Sequence, residues 1–181
     1  MPGGTSRVAY GVELVNVSYE HDAVGVSVML QLRDAHGRSL GRRSLHLGAV
    51  SAATTFFVAG RMPIAAGADA EALTVAVRLR ASGGRRLFLP VAADVQLRRD
   101  RAGRLGLTGR LTASSTALTA RSRIYAVIFD DAGRIVGGGE EAVMSATGTE
   151  VAPGQTAAFE LPDLSPTPAR RALFAGVSIE P

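Results

Sequence analysis

Two adjacent carboxylates, Asp130 and Asp131, precede Gly133 and a run of three glycines, Gly137–Gly139, in the stretch IYAVIFDDAGRIVGGG. Carboxylates beside glycines can ligate a cation, and a glycine run can cradle a phosphate. Calcium, however, takes about six to eight oxygen ligands from several positions, and the spacing Asp-x-Asp-x-Asp-Gly is missing here. We therefore predict a β-hairpin in which an Asp side chain caps the turn and glycine accepts a positive φ.

The glycine run itself does not match a P-loop. It is not followed by Lys-Ser or Lys-Thr, and it does not lead into a predicted helix, both of which that kind of phosphate site requires. Glycine inside a strand is typical of a local irregularity such as a bulge. We predict that Gly137–Gly139 lie in a bulged or edge strand.

Residue types that commonly serve catalysis or metal binding are few. The three histidines, His21, His36 and His46, show neither His-x-His nor His-x-x-x-His spacing, and the chain has no cysteine. A thiolate nucleophile and a cysteine zinc site are therefore excluded, and the chain lacks a Gly-x-Ser-x-Gly elbow. The sequence predicts a protein that is not an enzyme, with no catalytic, cofactor-binding or metal-ligating residues and no cofactor.

Arginine dominates the charge of the chain. All 20 basic residues are Arg, which together with abundant Ala and Gly is the composition expected from a GC-rich genome. Codon usage does not set position, and eight arginines against two acids fall in one segment. This Arg78–Arg104 segment contains Arg78, Arg80, Arg85, Arg86, Arg98, Arg99, Arg101 and Arg104. It is a candidate patch for an anionic partner, and the alternative is a solvated face.

Apolar and polar residues alternate along most of the chain, as in strands with one buried face. Val24–Leu32, Leu73–Arg80 and Leu173–Ile179 show this pattern, and turn signals such as DAHGR, RDRAG and DDAGR lie between such runs. Only Ala65–Leu73 is predicted to make a helical turn or two, so the fold is predicted to be all-β. No apolar run is long enough to cross a bilayer, and the beginning MPGGTSRVAY lacks the apolar stretch of a signal peptide.

Two stretches of the chain are similar to each other, which predicts a duplication. Leu32–Gly41 matches Phe129–Gly137 if one extra residue is allowed at His36. Each stretch is followed by Thr-x-x-Phe at the start of an apolar strand, in TTFFVAGRMPI and QTAAFELPDL. The simplest account is two tandem β-domains, which we place at residues 1–84 and 85–181.

The stretches GLTGRLTASSTALTARSRIYAVIFDDAGRIVG, Gly106–Gly137, and VAPGQTAAFEL, Val151–Leu161, resemble the FxLYD-type immunoglobulin-like domains of bacteria. Ala113-Ser114 stands where that family usually has Asn, and Phe129-Asp130-Asp131 replaces Leu-Tyr-Asp. The resemblance covers roughly residues 92–180, and the first half follows the same plan more loosely. It implies a small β-sandwich, often found on secreted or surface proteins, with no catalytic residues to carry over.

These expectations combine into one fold and one function. The predicted fold is two tandem immunoglobulin-like β-sandwich domains, of which the first is the looser repeat. The predicted function is a non-catalytic protein-binding or assembly subunit, an adaptor that pairs with another protein at a sheet edge, and the resemblance favours an extracellular or cell-envelope location. The alternative is a binder of anionic polymers through the Arg78–Arg104 segment, on nucleic acid, cell-wall polymer or membrane surface. Polyanion binding weakens steeply with salt, whereas strand pairing does not.

Overall fold

The computed structural model describes residues 4–82, 89–166 and 174–181. Within these residues the chain forms twelve β-strands and one short α-helix, so the predicted all-β class is confirmed. The strands of the first half are β1 (Thr5–Asn16), β2 (Ala23–Arg33), β3 (Ser39–Val50), β4 (Thr54–Ala65), β5 (Ala72–Arg78) and β6 (Ala81–Ser82). Those of the second half are β7 (Val91–Arg99), β8 (Leu105–Thr112), β9 (Arg123–Phe129), β10 (Ile135–Ala142), β11 (Thr156–Pro166) and β12 (Phe174–Glu180), with the helix α1 (Val143–Thr147) between β10 and β11.

The strands pair antiparallel, and within the described residues each strand pairs with strands of its own half. In the first half β1 pairs with β4, while β2 lies between β3 and β5 and pairs with β6 near its start. In the second half the strand order is β12-β9-β10-β11-β8-β7. The predicted boundary between residues 84 and 85 falls outside the described residues and stays a prediction.

One hydrophobic core lies between the β1–β4 pair and the sheet formed around β2. Alternate residues of β2 point into it, so Val28 and Leu30 are 1% and 0% exposed, and the alternation predicted for this strand is confirmed. Burial of each such side chain stabilises the fold by about 1.5–3 kcal/mol. The members from the first half include Tyr10, Val12, Val26, Val28, Leu30, Leu32, Leu47, Phe56, Val58, Met62 and Ile64.

Strand β9 is buried on both faces and contributes to more than one core. Ile124 and Ile128 face the core of the second half, which they share with residues of β8, β11 and β12. On the opposite face Tyr125 belongs to the core of the first half, and Val127 packs with Ala59 of β4. Because neither face is exposed to solvent, apolar residues occupy consecutive positions of the strand RIYAVIF and do not alternate with polar ones.

The helical turn predicted for Ala65–Leu73 is absent, so that prediction is wrong. The chain turns at Gly67, whose φ is 77°, and the N–H of Ala68 donates to the carbonyl of Ala65 at 3.1 Å. Glycine in this left-handed conformation is incompatible with a continuing helix. The helix that does form, α1, has five residues, and no helix in the described residues is long and apolar enough to span a membrane.

Candidate functional site

Three hairpins share a turn of sequence Asp-x-x-Gly-Arg, at residues 34–38, 100–104 and 130–134. In each turn the Asp Oδ1 accepts hydrogen bonds of 2.9–3.0 Å from the backbone N–H groups two and four residues ahead. The glycine φ is 71–77° in all three. The predicted Asp-capped hairpin is therefore confirmed; Asp130 is the capping residue, and Asp131 is exposed.

The Arg that ends each turn forms an ion pair with the Asp that begins it. The Arg Nε lies 2.7–3.0 Å from the Asp Oδ2 in the three turns. The hydrogen bonds from the guanidinium and the backbone N–H of Arg104 lower the pKa of Asp100 below its ordinary value. Both oxygens of each turn Asp thus contact donors of the same hairpin, which identifies these carboxylates as turn-forming groups.

The turns also correct the alignment of the two similar stretches of sequence. Asp34 and Asp130 occupy the same position of the same turn, so the extra residue that the sequence comparison placed at His36 is wrong. The third copy, at Asp100, was not recognised as a repeat, although DRAGR stands in the sequence beside DAHGR and DDAGR. A search for Asp-x-x-Gly-Arg would have found it.

Removing the carboxylate of Asp130 should destabilise the protein, because two part-buried backbone N–H groups and the guanidinium of Arg134 then lose their acceptor. We expect Asp130→Ala to reduce the free energy of unfolding by about 2 kcal/mol and Asp131→Asn by about 0.5 kcal/mol or less. Urea denaturation of both variants measures this difference. Calcium-dependent stabilisation of the wild type that disappears in Asp131→Asn would contradict the hairpin assignment.

The glycine run lies where the two halves of the chain pack against each other. β10 is bulged between Ile135 and Gly137, as predicted, but it lies between β9 and β11 and is not an edge strand. A Cβ atom on Gly138 would lie 2.5 Å from the carbonyl oxygen of Ala126 and 2.8 Å from the Cβ of Ala59. The glycine is therefore explained by close approach of β10 to β4, not by binding of a phosphate.

Polar contacts hold the same joint between the halves. The guanidinium of Arg43 contacts both carboxylate oxygens of Glu140, at 2.6 and 2.9 Å, and lies 5.8 Å from the ring centre of Tyr10. The backbone N–H of Phe57 donates to Ser178 Oγ at 2.8 Å. Burial raises the pKa of Tyr10 to about 12, against the opposing effect of the Arg43 charge. This tyrosine therefore remains neutral and acts in packing.

A second polar contact joins the buried Tyr125 to the half-buried Glu180 on the neighbouring strand. The Tyr125 hydroxyl donates to Glu180 Oε2 at 2.8 Å. Burial raises the pKa of Glu180, although the hydrogen bond from Tyr125 acts in the opposite direction. Because the folded-state pKa is raised, the contribution of Glu180 to stability is full below its unfolded pKa and is lost as the pH rises through the folded pKa.

The arginines of the Arg78–Arg104 segment lie on two different sheets. Arg78 ends β5 and Arg80 follows it, Arg98 and Arg99 end β7, and Arg101 and Arg104 lie in the next turn. All six of these are exposed. The other two members, Arg85 and Arg86, lie outside the described residues.

Several of these arginines contact groups of their own hairpin. Arg98 donates to Gln96 Oε1 and Thr108 Oγ1, and Arg99 donates to the carbonyl of Gly103. The depression beside them, of about 270 Å³, is also lined by two acids, Asp100 and Glu160. The structure thus brings Arg98, Arg99 and Arg104 together at one hairpin, in a surface of mixed charge.

One pair of side chains resembles part of a catalytic site. Ser27 Oγ lies 3.0 Å from His46 Nδ1 across β2 and β3. Within the described residues His46 has no hydrogen bond to a carboxylate that would orient its ring, and the pair lies on an exposed sheet face. We interpret it as a cross-strand contact. In the same part of the chain, no three His, Asp or Glu side chains lie close enough together to hold a metal ion.

An apolar groove opens beside β1, on the side away from β4. Among the strands described, β1 pairs only with β4, so the backbone groups along its other edge are left for another strand. Val75 and Val77 pair with the buried Leu30 and Val28, yet they are 38% and 48% exposed, and Leu79 is 57% exposed. We call this depression the β1–β5 groove, and its volume is about 460 Å³. Its lining residues are Glu13, Leu14, Val15, Asn16, Val17, Ala23, Val26, Val50, Val77 and Leu79.

The second half shows the same position covered. Ile124 lies six residues before Asp130 and pairs with Ile179. Val28 likewise lies six residues before Asp34 and pairs with Val77, so Ile179 and Val77 occupy corresponding positions. Ile179 is only 2% exposed, and β12 contacts β7, the strand that pairs with β8. The first half lacks a counterpart of β7 among its described strands. Alternation alone predicted one apolar face here but contained no signal that this face is uncovered.

Comparison with models of known protein families gave no match, and comparison with curated proteins gave none either. The function must therefore be inferred from the residues themselves. The open strand edge and the apolar groove beside it are the features that the packing of the chain leaves unexplained.

Proposed function

We propose that this protein is a non-catalytic protein-binding or assembly subunit, composed of two tandem immunoglobulin-like β-sandwich domains of the FxLYD type and acting outside the cytoplasm. The observation that carries the proposal is the β1–β5 groove, an open strand edge above an uncovered apolar face. Exposed apolar surface of this kind is characteristic of interaction sites, and an open edge accepts a further strand.

The strand pairing supports the duplication in this proposal. In the first half, β1 pairs with β4, and β2 pairs with β3 and β5. In the second half, β8 pairs with β11, and β9 pairs with β10 and β12. Five strands therefore follow each other with these same pairings in both halves. The second half adds a short pairing of β10 with β11 and the additional strand β7.

The joint between the halves supports a role in assembly. Arg43 and Glu140 are 25% and 17% exposed at their side chains, so water screens their ion pair only in part. Gly138 and Ala59 pack so closely that a methyl group does not fit between their strands. A fixed relation between the halves holds the binding edge at a defined position, which suits an adaptor.

The proposal is tested by comparing peptide and polyanion binding of the full chain. Four arginines are replaced together, in the variant Arg80→Gln, Arg85→Gln, Arg86→Gln and Arg98→Gln. We expect binding to displayed peptides to change little with salt and little in this variant, because strand pairing depends on backbone groups. The measurement is binding to a peptide display library, to heparin and to duplex DNA over a range of salt.

Polyanion binding is the competing outcome. If the wild type binds heparin or duplex DNA tightly at physiological salt, and the fourfold variant does not, the Arg78–Arg104 segment is the functional site. In that case the slope of log K against log salt for DNA should fall by about 3–4, since up to four phosphate contacts are lost. That result would replace the protein-binding proposal with the alternative of an anionic-polymer binder.

A further inference from the structure

We propose that the β1–β5 groove binds one extended segment of a partner protein, which pairs antiparallel with the free edge of β1 and covers the apolar face of β5. This inference rests on the proposed protein-binding function and assigns its site. The partner segment is a single β-strand with alternating apolar residues, and not a helix or a polyanion.

Among the described residues, one layer of the first half has one strand fewer than its counterpart in the second half. In the second half three strands, β11-β8-β7, face three strands, β10-β9-β12. In the first half the described layers are β4-β1 and β3-β2-β5, so two strands face three. The uncovered strand is β5, and the place above it lies beside the open edge of β1. One added strand would give both halves the same layers.

Strand β7 serves as an internal template for the occupant. It pairs antiparallel with β8, and Ala92, Val95 and Leu97 pack against the core of the second half. Gln96 and Arg98 alternate with these residues and are exposed. A segment with small or medium apolar residues on one face and polar residues on the other is therefore the chemistry that fits the groove.

Charges on β1 define the partner segment further. Arg7 and Glu13 are exposed, and their spacing of six residues places both on the same face of the strand. Opposite charges stabilise directly opposed positions of an antiparallel pair, and like charges destabilise them. An antiparallel partner should therefore carry a basic residue opposite Glu13 and, six residues later, an acidic residue opposite Arg7.

A second copy of the same chain does not fit this groove through its own β1. That strand would bring along its partner sheet β3-β2-β5, because β1 packs on that sheet in each copy. In each copy β2 lies beneath β1, and β5 lies next to β2. If the two β1 strands paired edge to edge, both β5 strands would have to fit between the two β2 strands beneath them. The occupant is therefore a segment without a sheet of its own.

The test selects binders from a display library of random peptides of about twelve residues, with the full chain as target. Selected peptides should alternate apolar and polar residues. We expect the double variant Val77→Lys and Leu79→Lys to bind them at least about tenfold more weakly, since two charges replace the apolar floor of the groove. Both side chains are exposed, so an unchanged melting temperature should show that the variant is folded.

Controls separate this groove from other apolar surface. Val91 is 62% exposed on β7, and Val91→Lys should bind the same peptides as the wild type does. When the Glu13→Arg variant is the target of the selection, the peptides should carry an acidic residue in place of the basic one. A basic residue would otherwise lie opposite the new arginine. Amide hydrogen exchange of β1 should slow on addition of a selected peptide, because its free edge becomes paired.

The outcomes distinguish this inference from the proposed function. Peptides that bind the Val77→Lys, Leu79→Lys variant as tightly as the wild type would overturn the groove as the site and leave protein binding in place. If no peptide is enriched, both proposals fail together. Peptides whose binding is lost in the double variant, but not in Val91→Lys, support both.

Discussion

Replacing Val28 by aspartate is expected to unfold the first half of the protein. Val28 is 1% exposed, and its neighbours in the core are aliphatic and aromatic side chains of β1, β3 and β4. An unpaired carboxylate at this depth costs several kcal/mol, against a total stability of about 5–15 kcal/mol for a typical domain. The expected result is loss of the cooperative unfolding transition of this half, measured by circular dichroism and hydrogen exchange.

The matched control is the next residue of the same strand. Met29 is 37% exposed on the opposite face of β2, so Met29→Asp places the same charge where water reaches it. We expect that variant to lose about 1 kcal/mol or less. A Val28→Asp protein that keeps the wild-type melting temperature would show that the inward face of β2 has been assigned wrongly.

Gly138→Val should disrupt the joint between the two halves. The added Cβ would lie 2.5 Å from the carbonyl oxygen of Ala126, a backbone atom that cannot move without breaking the pairing of β9 with β10. Overpacking in a well-packed interior typically costs about 1–3 kcal/mol and occasionally more, and we expect about 3 kcal/mol or more here. Urea denaturation of the full chain gives this value.

Gly48→Val provides the control for this substitution. Gly48 lies on β3, and a Cβ atom there would have no neighbour within 4 Å. Valine favours strands more than glycine does, so the control should be neutral or slightly stabilising. Equal free energies of unfolding for the two variants would show that β10 and β4 do not approach as closely as described.

Local signals in the sequence sufficed for the turns and for many of the strands. Alternation predicted the buried face of Val24–Leu32, because only the neighbours on β3 and β5 and one opposing layer decide that pattern. The Asp-capped turns were predictable because the side chain and the N–H groups it binds lie within five residues. The same reasoning placed glycine at the positive φ of each turn.

Contacts between distant segments were beyond local signals. The Thr-x-x-Phe spacing aligns Phe57 with Phe159, yet the two side chains have different surroundings. Phe159 lies in the core of its own half, and Phe57 packs against Phe129 of the other half. Nothing near β5 in the sequence indicates whether a strand covers it. The candidate groove follows from the number of strands in each layer, which only the assembled sheets reveal.

The position of Tyr125 has a consequence for synthesis of the chain. This residue belongs to the core of the first half, and β10 also packs on β4 and β1. Strand β4 ends at Ala65, whereas β10 ends only at Ala142, so β4 is synthesised long before the strands that pack on it. Ribosomes add about 5–20 residues per second, so β9 and β10 are complete roughly 4–15 seconds after β4, and only then can they pack on its outer face. During that interval the nascent first half exposes apolar strand surface, and surface of this kind is prone to aggregation.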